Sequence, residues 1–228
     1  MKPKQIRTLV IAPHPDDEIL GCGGTLLRRK VEGGEIGWLI VTDMTEQAGW
    51  PATRVAVRQE EIERVRKFVS FDAVFNLRLP PAGLDGRPLA EIVAAFAEVF
   101  KTFAPHDVLV PHRGDAHSDH RVVFDAASAC TKWFRHPSVR RVMAYETVSE
   151  TEFGLSRELT FRPNYFIDIS PYLDRKIELM AFYASEVGDF PFPRSPECLQ
   201  ALARWRGAAA GCVAAEAFEL LVERDLPE

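Results

Sequence analysis

The sequence predicts an α/β protein built on a doubly wound, mostly parallel sheet, with helices on both faces and a C-terminal α/β elaboration. Three observations lead there. Short β-branched runs alternate with longer amphipathic stretches as far as residue 135, the pattern of successive βαβ units. A chain of 228 residues that is 46% hydrophobic can bury one sizeable core without demanding a second. No internal repeat, low-complexity tract or long linker breaks it into separate units.

Taken in order, IRTLVIA (6–12) reads as the first strand, followed by a helix over 17–32. IGWLIVT (36–42) leads into a helix over 53–70, AVFNLRL (73–79) into one over 88–103, and DVLVP (107–111) into one over 119–135. The third helix is the clearest: Ile92, Val93, Phe96, Val99, Phe100 and Phe103 recur at three- and four-residue intervals and form one apolar stripe. Two more strands are expected within 139–148 and 161–170, then helices near 171–185 and 198–218. The intervening VGDFPFPRSPE (187–197) has three prolines that forbid regular structure, so it reads as a loop able to wall a pocket.

Composition excludes several classes. The formal net charge of −5, with scattered Lys and Arg, gives no footprint for nucleic acid. No stretch reaches the ~20 apolar residues of a membrane span, and the apolar run before His14 is too short for a signal-peptide core. The four cysteines, Cys22, Cys130, Cys198 and Cys212, form no CxxC pair, which argues against a thiolate zinc site or a disulfide framework and for a reducing, cytoplasmic setting.

The first chemical cluster is PHPDDE (13–18), at the C-terminal end of the first strand, where ligands bind in open α/β sheets. Asp16, Asp17 and Glu18 could simply complement the dipole of the following helix. His14 changes the reading, because capping needs no imidazole and His-x-x-Asp at this turn lets a ring nitrogen and a carboxylate converge on one cation. The GCGG at 21–24 is no dinucleotide fingerprint: Leu26 stands where the last glycine belongs, and acids precede it where a pyrophosphate would sit. Those glycines destabilise a helix by roughly 0.5–1 kcal/mol each, which implies a close approach to that backbone.

The second cluster, HRGDAHSDH (112–120), repeats the design after the fourth strand. His112 is read as structural. His117 and His120 lie three apart at a turn that can meet the first in one crevice. His14, Asp17 and one of His117 or His120 then make a two-His, one-carboxylate site. Such a triad serves zinc hydrolases or ferrous oxygenases. The extra carboxylate of Asp16, placed to take a proton from water, and a spare histidine favour hydrolysis.

The motifs APHPDDE (12–18) and HSDH (117–120) together resemble the PIG-L/LmbE-like zinc N-deacetylases, with VRQEEIERV (57–65), YETVSETE (145–152) and RGAAAGCVAAEAFEL (206–220) in family-like places. Pro13 departs from the small residue usual there. The resemblance implies a Rossmann-like fold and a single domain over 1–228, with a βαβ core (1–137) and a C-terminal part (138–228) completing the substrate pocket. It implies one zinc ion, or Fe2+ or another divalent ion, held by His14, Asp17 and His120. Asp16 would be the general base, His117 the electrostatic or acid partner, and Asp119 the carboxylate orienting His117. It further implies an N-acetylated sugar or glycoconjugate as substrate and a trimeric or hexameric homo-oligomer.

Arg58 lies on the core-facing stripe of its helix, where a guanidinium needs a partner such as Asp43 or Glu61, or faces a cavity. The matching family position contacts substrate, so Arg58, with Asp43, is a substrate-binding candidate. Trp50, Phe153, Phe190 and Phe192 in predicted loops could stack on a sugar or simply pack their loops. Two other readings compete with deacetylation: a zinc hydratase or lyase acting on an oxo-acid, and a non-catalytic metal- or sugar-binding protein.

Overall fold

A computed structural model describes residues 5–226. Residues 1–4 and 227–228 lie outside them. Among the described residues, seven strands form one sheet in the order β3-β2-β1-β4-β5-β7-β6. They are β1 (Arg7–Ala12), β2 (Glu35–Thr42), β3 (Ala73–Leu79), β4 (Asp107–Pro111), β5 (Arg141–Tyr145), β6 (Tyr165–Asp168) and β7 (Ala215–Glu223). The first five pair in parallel; β7 runs antiparallel to both β5 and β6. The helices are α1 (Asp17–Val31), α2 (Ala52–Val69), α3 (Leu89–Phe103), α4 (Ser118–Cys130), α5 (Leu173–Met180) and α6 (Pro196–Ala210).

Both faces of the sheet are covered, as the alternation of its side chains requires. Val10 and Ala12 of β1 join one core with residues of α1, α2, α5 and α6; Leu9 and Ile11 point the other way, into a core with α3 and α4. The expected doubly wound, Rossmann-like arrangement is therefore the observed one. The strand order reverses between β1 and β4, which opens a crevice at their C-terminal ends.

The largest difference from expectation lies at 198–218. The helix α6 ends at Ala210, Gly211 takes the left-handed conformation at φ 76°, and 215–223 is the strand β7. Alanine, glutamate and leucine favour helix intrinsically, but a buried slot between β5 and β6 outweighs that preference. Several other elements are shorter than expected: α4 stops at Cys130, α5 covers only Leu173–Met180, and β5 and β6 are the central parts of their predicted runs.

The glycines of α1 are explained by packing. A Cβ on Gly21 would lie 2.2 Å from the Tyr145 ring, and one on Gly24 2.8 Å from Ile169. Opposite them a buried ion pair inserts into the helix: Lys176 donates to Glu216 at 2.6 Å and to the Leu20 carbonyl at 2.8 Å. Glu216 in turn accepts the amides of Gly24 and Thr25 at 2.9 and 2.7 Å.

Candidate metal centre and active site

The turns after β1 and β4 meet in the crevice. One ligand atom each from His14, Asp17 and His120 lies within 4.8 Å of the others, and a second group, His14, His117 and Asp119, meets the same distance condition. Hydrogen bonding separates the two. The Asp119 carboxylate already accepts from the amides of Ala82 (2.8 Å) and Leu84 (3.0 Å) and lies 3.1 Å from His14 Nε2. His117 Nδ1 is also occupied, accepting the Asp119 amide at 3.1 Å as the N-cap of α4.

His120, in contrast, is fully buried, and its Nε2 has no hydrogen-bond partner among the described residues. Its Nδ1 is 2.8 Å from Asp115 Oδ2, and Asp115 Oδ1 accepts the Thr151 hydroxyl at 2.6 Å. A carboxylate that fixes the far nitrogen of a histidine turns the near one toward a metal. Asp17 Oδ2 is 3.4 Å from that orphaned Nε2 and 3.3 Å from His14 Nδ1. An orphaned imidazole nitrogen beside a buried carboxylate and a second imidazole is a donor set suited to zinc.

Charge supports the same reading. Burial alone would push the pKa of His14 and His120 down, but the surrounding carboxylates outweigh it: Asp119 and Asp17 raise His14 to about 9, and Asp17 and Asp115 raise His120 to about 10. Asp17 sits well below the usual carboxylate range, because the two imidazoles overcome its burial. The cluster thus attracts positive charge, and a divalent cation would compete with its protons.

Asp16 sits at the N-terminus of α1 with φ 144° and ψ −30°, a sparsely populated conformation whose strain is on the order of 1–3 kcal/mol. Its side chain makes no capping bond; Oδ2 instead accepts from Arg194 at 2.7 Å. Burial, then repulsion from Asp17, raises its pKa to about 7 against the pull of Arg194. A carboxyl poised near neutrality suits proton transfer. Its neighbour Glu18 is wholly buried, accepts from the Tyr183 hydroxyl at 2.8 Å, and is pushed to about 8 by burial and then by Asp16.

One expectation about the second turn needs correction. The carboxylate of Asp119 does not orient the His117 ring: it turns toward the amides of the 82–84 turn and His14, and only its backbone N–H reaches His117. Because His117 Nδ1 accepts that amide, the neutral ring carries its proton on Nε2. Burial, then the nearby His14, lowers its pKa, in keeping with a neutral ring whose Nε2 N–H can donate.

His14, Asp16, Asp17, His117 and His120 line a cavity of about 220 Å³, together with Asp43, Trp50, Arg58, Glu150, Glu186 and Arg194. Arg58 is 4% exposed: it donates to the Pro15 carbonyl at 2.8 Å and to Glu186, and its Nε lies 3.2 Å from Glu61. Of the two partners expected for it, Glu61 is the one found. Asp43 Oδ2 instead accepts from Gln59 and Asn76, both at 2.7 Å, while its buried Oδ1 has no hydrogen-bond partner among the described residues. The predicted loop supplies Arg194 to the pocket, whereas Phe190 is 65% exposed. His112 is structural, as expected, its Nε2 lying 2.7 Å from the Leu159 carbonyl. Sequence reasoning missed Asp115, Glu150, Glu186 and Arg194. Asp115 stands within the second motif, five residues before His120, but in a turn no periodicity marks such a partner.

Fold and site together define an α/β protein with a candidate two-His, one-carboxylate metal site at its topological switch point. A family model described as GlcNAc-PI de-N-acetylase (PIG-L) matches residues 9–131, more than half of the chain, and the chain belongs to that family. Among similar proteins, "Uncharacterized deacetylase YaiS" of Escherichia coli is 26% identical over 163 residues, 69% of this chain and 79% of the relative. Diacetylchitobiose deacetylase of Thermococcus kodakarensis is 24% identical over 215 residues, 90% and 79% of the two chains. The crystal structure of the conserved protein TT1542 from Thermus thermophilus superposes with a TM-score of 0.77 at 28% identity, covering 98% of each chain.

Proposed function

We propose that the protein is a zinc-dependent hydrolase that removes an N-acetyl group from an amino-sugar-containing small molecule or glycoconjugate. The carrying observation is the orphaned Nε2 of His120, held by Asp115 beside Asp17 and His14, with the carboxyl of Asp16 in the same cavity. His14, Asp17 and His120 would hold the ion, with ferrous iron as the other divalent candidate for this donor set. When bound, zinc acts as a Lewis acid and brings the pKa of water from ~15.7 to about 7.

The remaining work falls to the chain's own groups. Asp16 takes a proton from the attacking water and returns it to the departing amine. His117, neutral and protonated on Nε2, donates to the acyl oxygen as negative charge develops there. Asp119 fixes His14 and the 82–84 turn. Asp43 lines the same cavity and would contact substrate there. Arg58 lines the same cavity and would contact substrate by exchanging Glu186, the more exposed of its two carboxylate partners. The four free cysteines accord with a reducing cytoplasm. Both relatives compared by sequence are deacetylases, which does not favour a hydratase or lyase.

The test is release of amine from a panel of N-acetylated sugars, with metal analysis on the same sample. Asp16→Asn should keep about one zinc per chain and lose about 10²–10⁴ in rate; full turnover in that variant refutes the assigned base.

A further inference from the structure

The carboxylate of Asp16 is held from far along the chain. Among the described residues a single hydrogen bond reaches it: Arg194 Nη1 donates to Oδ2 at 2.7 Å. Oδ1 accepts none from those residues, and Asp16 lines the cavity of the candidate metal ligands. Its own helix gives no help, since the side chain makes no capping bond and the φ of 144° is one that L-residues rarely adopt. A carboxylate turning on two side-chain torsions and held at one oxygen points where its partner directs it.

Arg194 is itself fixed from several sides. Its Nε donates to Ser149 Oγ at 2.8 Å, Nη1 also donates to Glu186 Oε2 at 3.2 Å, and Nη2 lies 3.7 Å from Glu150 Oε1. Ser149 has φ 79°, in the left-handed region, where a serine carries strain on the order of 1–3 kcal/mol, and Glu152 accepts its amide at 2.7 Å. Strained backbone thus stands at both ends of one hydrogen-bonded path, from Ser149 through Arg194 to Asp16. Strain of this kind persists where the surrounding structure over-determines it, and it gathers at functional sites.

The type of cation matters as well. Nε and Nη1 belong to one rigid planar fork, so the group delivers direction along with charge, whereas a lysine ammonium would supply charge alone. Both protons of Nη1 and the one on Nε are engaged with the chain, which commits Arg194 to the protein rather than to a ligand.

Resting on the deacetylase reading, we propose that Arg194 is a positioning residue: it holds Oδ2 of Asp16 so that Oδ1 faces the water to be activated, and Ser149 holds Arg194 in place. The test measures amine release, zinc content and melting for Arg194→Ala, Arg194→Lys and Ser149→Ala. Misplacing a reacting group by about 1 Å can cost about 10²-fold, so kcat should fall roughly 10–10²-fold in Arg194→Ala, with KM within about threefold and about one zinc per chain retained. Arg194→Lys should stay close to the alanine variant. Added methylguanidinium should restore turnover to Arg194→Ala, and methylammonium should not. Ser149→Ala should lower kcat by roughly three- to tenfold, the worth of one hydrogen bond, and it decides the matter if Arg194→Ala does not fold.

Unchanged kcat in the folded variants overturns the assignment. A loss carried by KM alone makes Arg194 a substrate anchor instead, and a loss that follows zinc content makes it a support of the metal site. Recovery by lysine or methylammonium leaves only an unspecific charge. If wild type releases no amine from any acetylated sugar, the deacetylase reading fails on its own. Melting temperatures of Asp16→Asn, Arg194→Ala and the double variant then read the contact directly: shifts that do not add support the hold of Arg194 on Asp16, and additive shifts overturn it.

Discussion

Asp115→Asn probes the centre through a residue that touches neither metal nor substrate. The carboxylate is buried, 2.8 Å from His120 Nδ1 and 2.6 Å from the Thr151 hydroxyl. Asparagine has the same shape and keeps one acceptor for the ring N–H, so His120 should stay in place. What disappears is the negative charge that makes its other nitrogen a better ligand. Partners of this kind are worth about 10–100-fold in metal affinity, or roughly 1.4–2.7 kcal/mol. Asp115→Ala removes the acceptor as well and should lie at or beyond the upper end. Competition against a chromophoric zinc chelator reads the affinity, and melting in excess chelator shows whether the fold survives. Zinc affinity within about twofold of wild type in both folded variants would refute the reasoning, leaving Asp115 a tie for the 147–151 turn.

Three further outcomes are expected. Asp17→Ala should lose zinc on dialysis while His117→Ala retains it; the opposite pattern would move the ion to the second group of possible ligands. Lys176→Met strands the buried charge of Glu216 and should destabilise by about 3–5 kcal/mol, a fall in melting temperature of roughly 6–20 °C; a fall below about 2 °C would show that the charge is solvated or neutralised. Glu18, at about 8 in the fold against 4.5 when free, favours its neutral form when folded, so the metal-free protein should lose stability as pH rises between those values. Denaturant midpoints of metal-free wild type and Glu18→Gln at the two ends of that window should show a shallower decline in the variant, and parallel declines would contradict the shift.

Much of the fold was legible because local patterns and tertiary environment agree. Ile92, Phe96, Val99, Phe100 and Phe103 of α3, spaced for one helical face, are all buried. The strand β7 was not legible, since AAEAFEL carries helix-forming residues and nothing local shows that two strands stand ready to flank it. The turns that carry His14, Asp16 and Asp17, and His117, Asp119 and His120, announced themselves by residue type at strand ends. Arg194 did not, because it reaches Asp16 from 178 positions away.

By itself the sequence determined the alternating elements, the two polar turns and their ligand-capable side chains, because these depend on periodicity and short-range chemistry. Only the tertiary structure decided which histidine keeps a free nitrogen, where the Asp119 carboxylate turns, and that Asp115 stands behind His120. Those choices depend on burial and on partners brought together by the switch in strand order, and burial is a property of the packed chain, not of any local stretch.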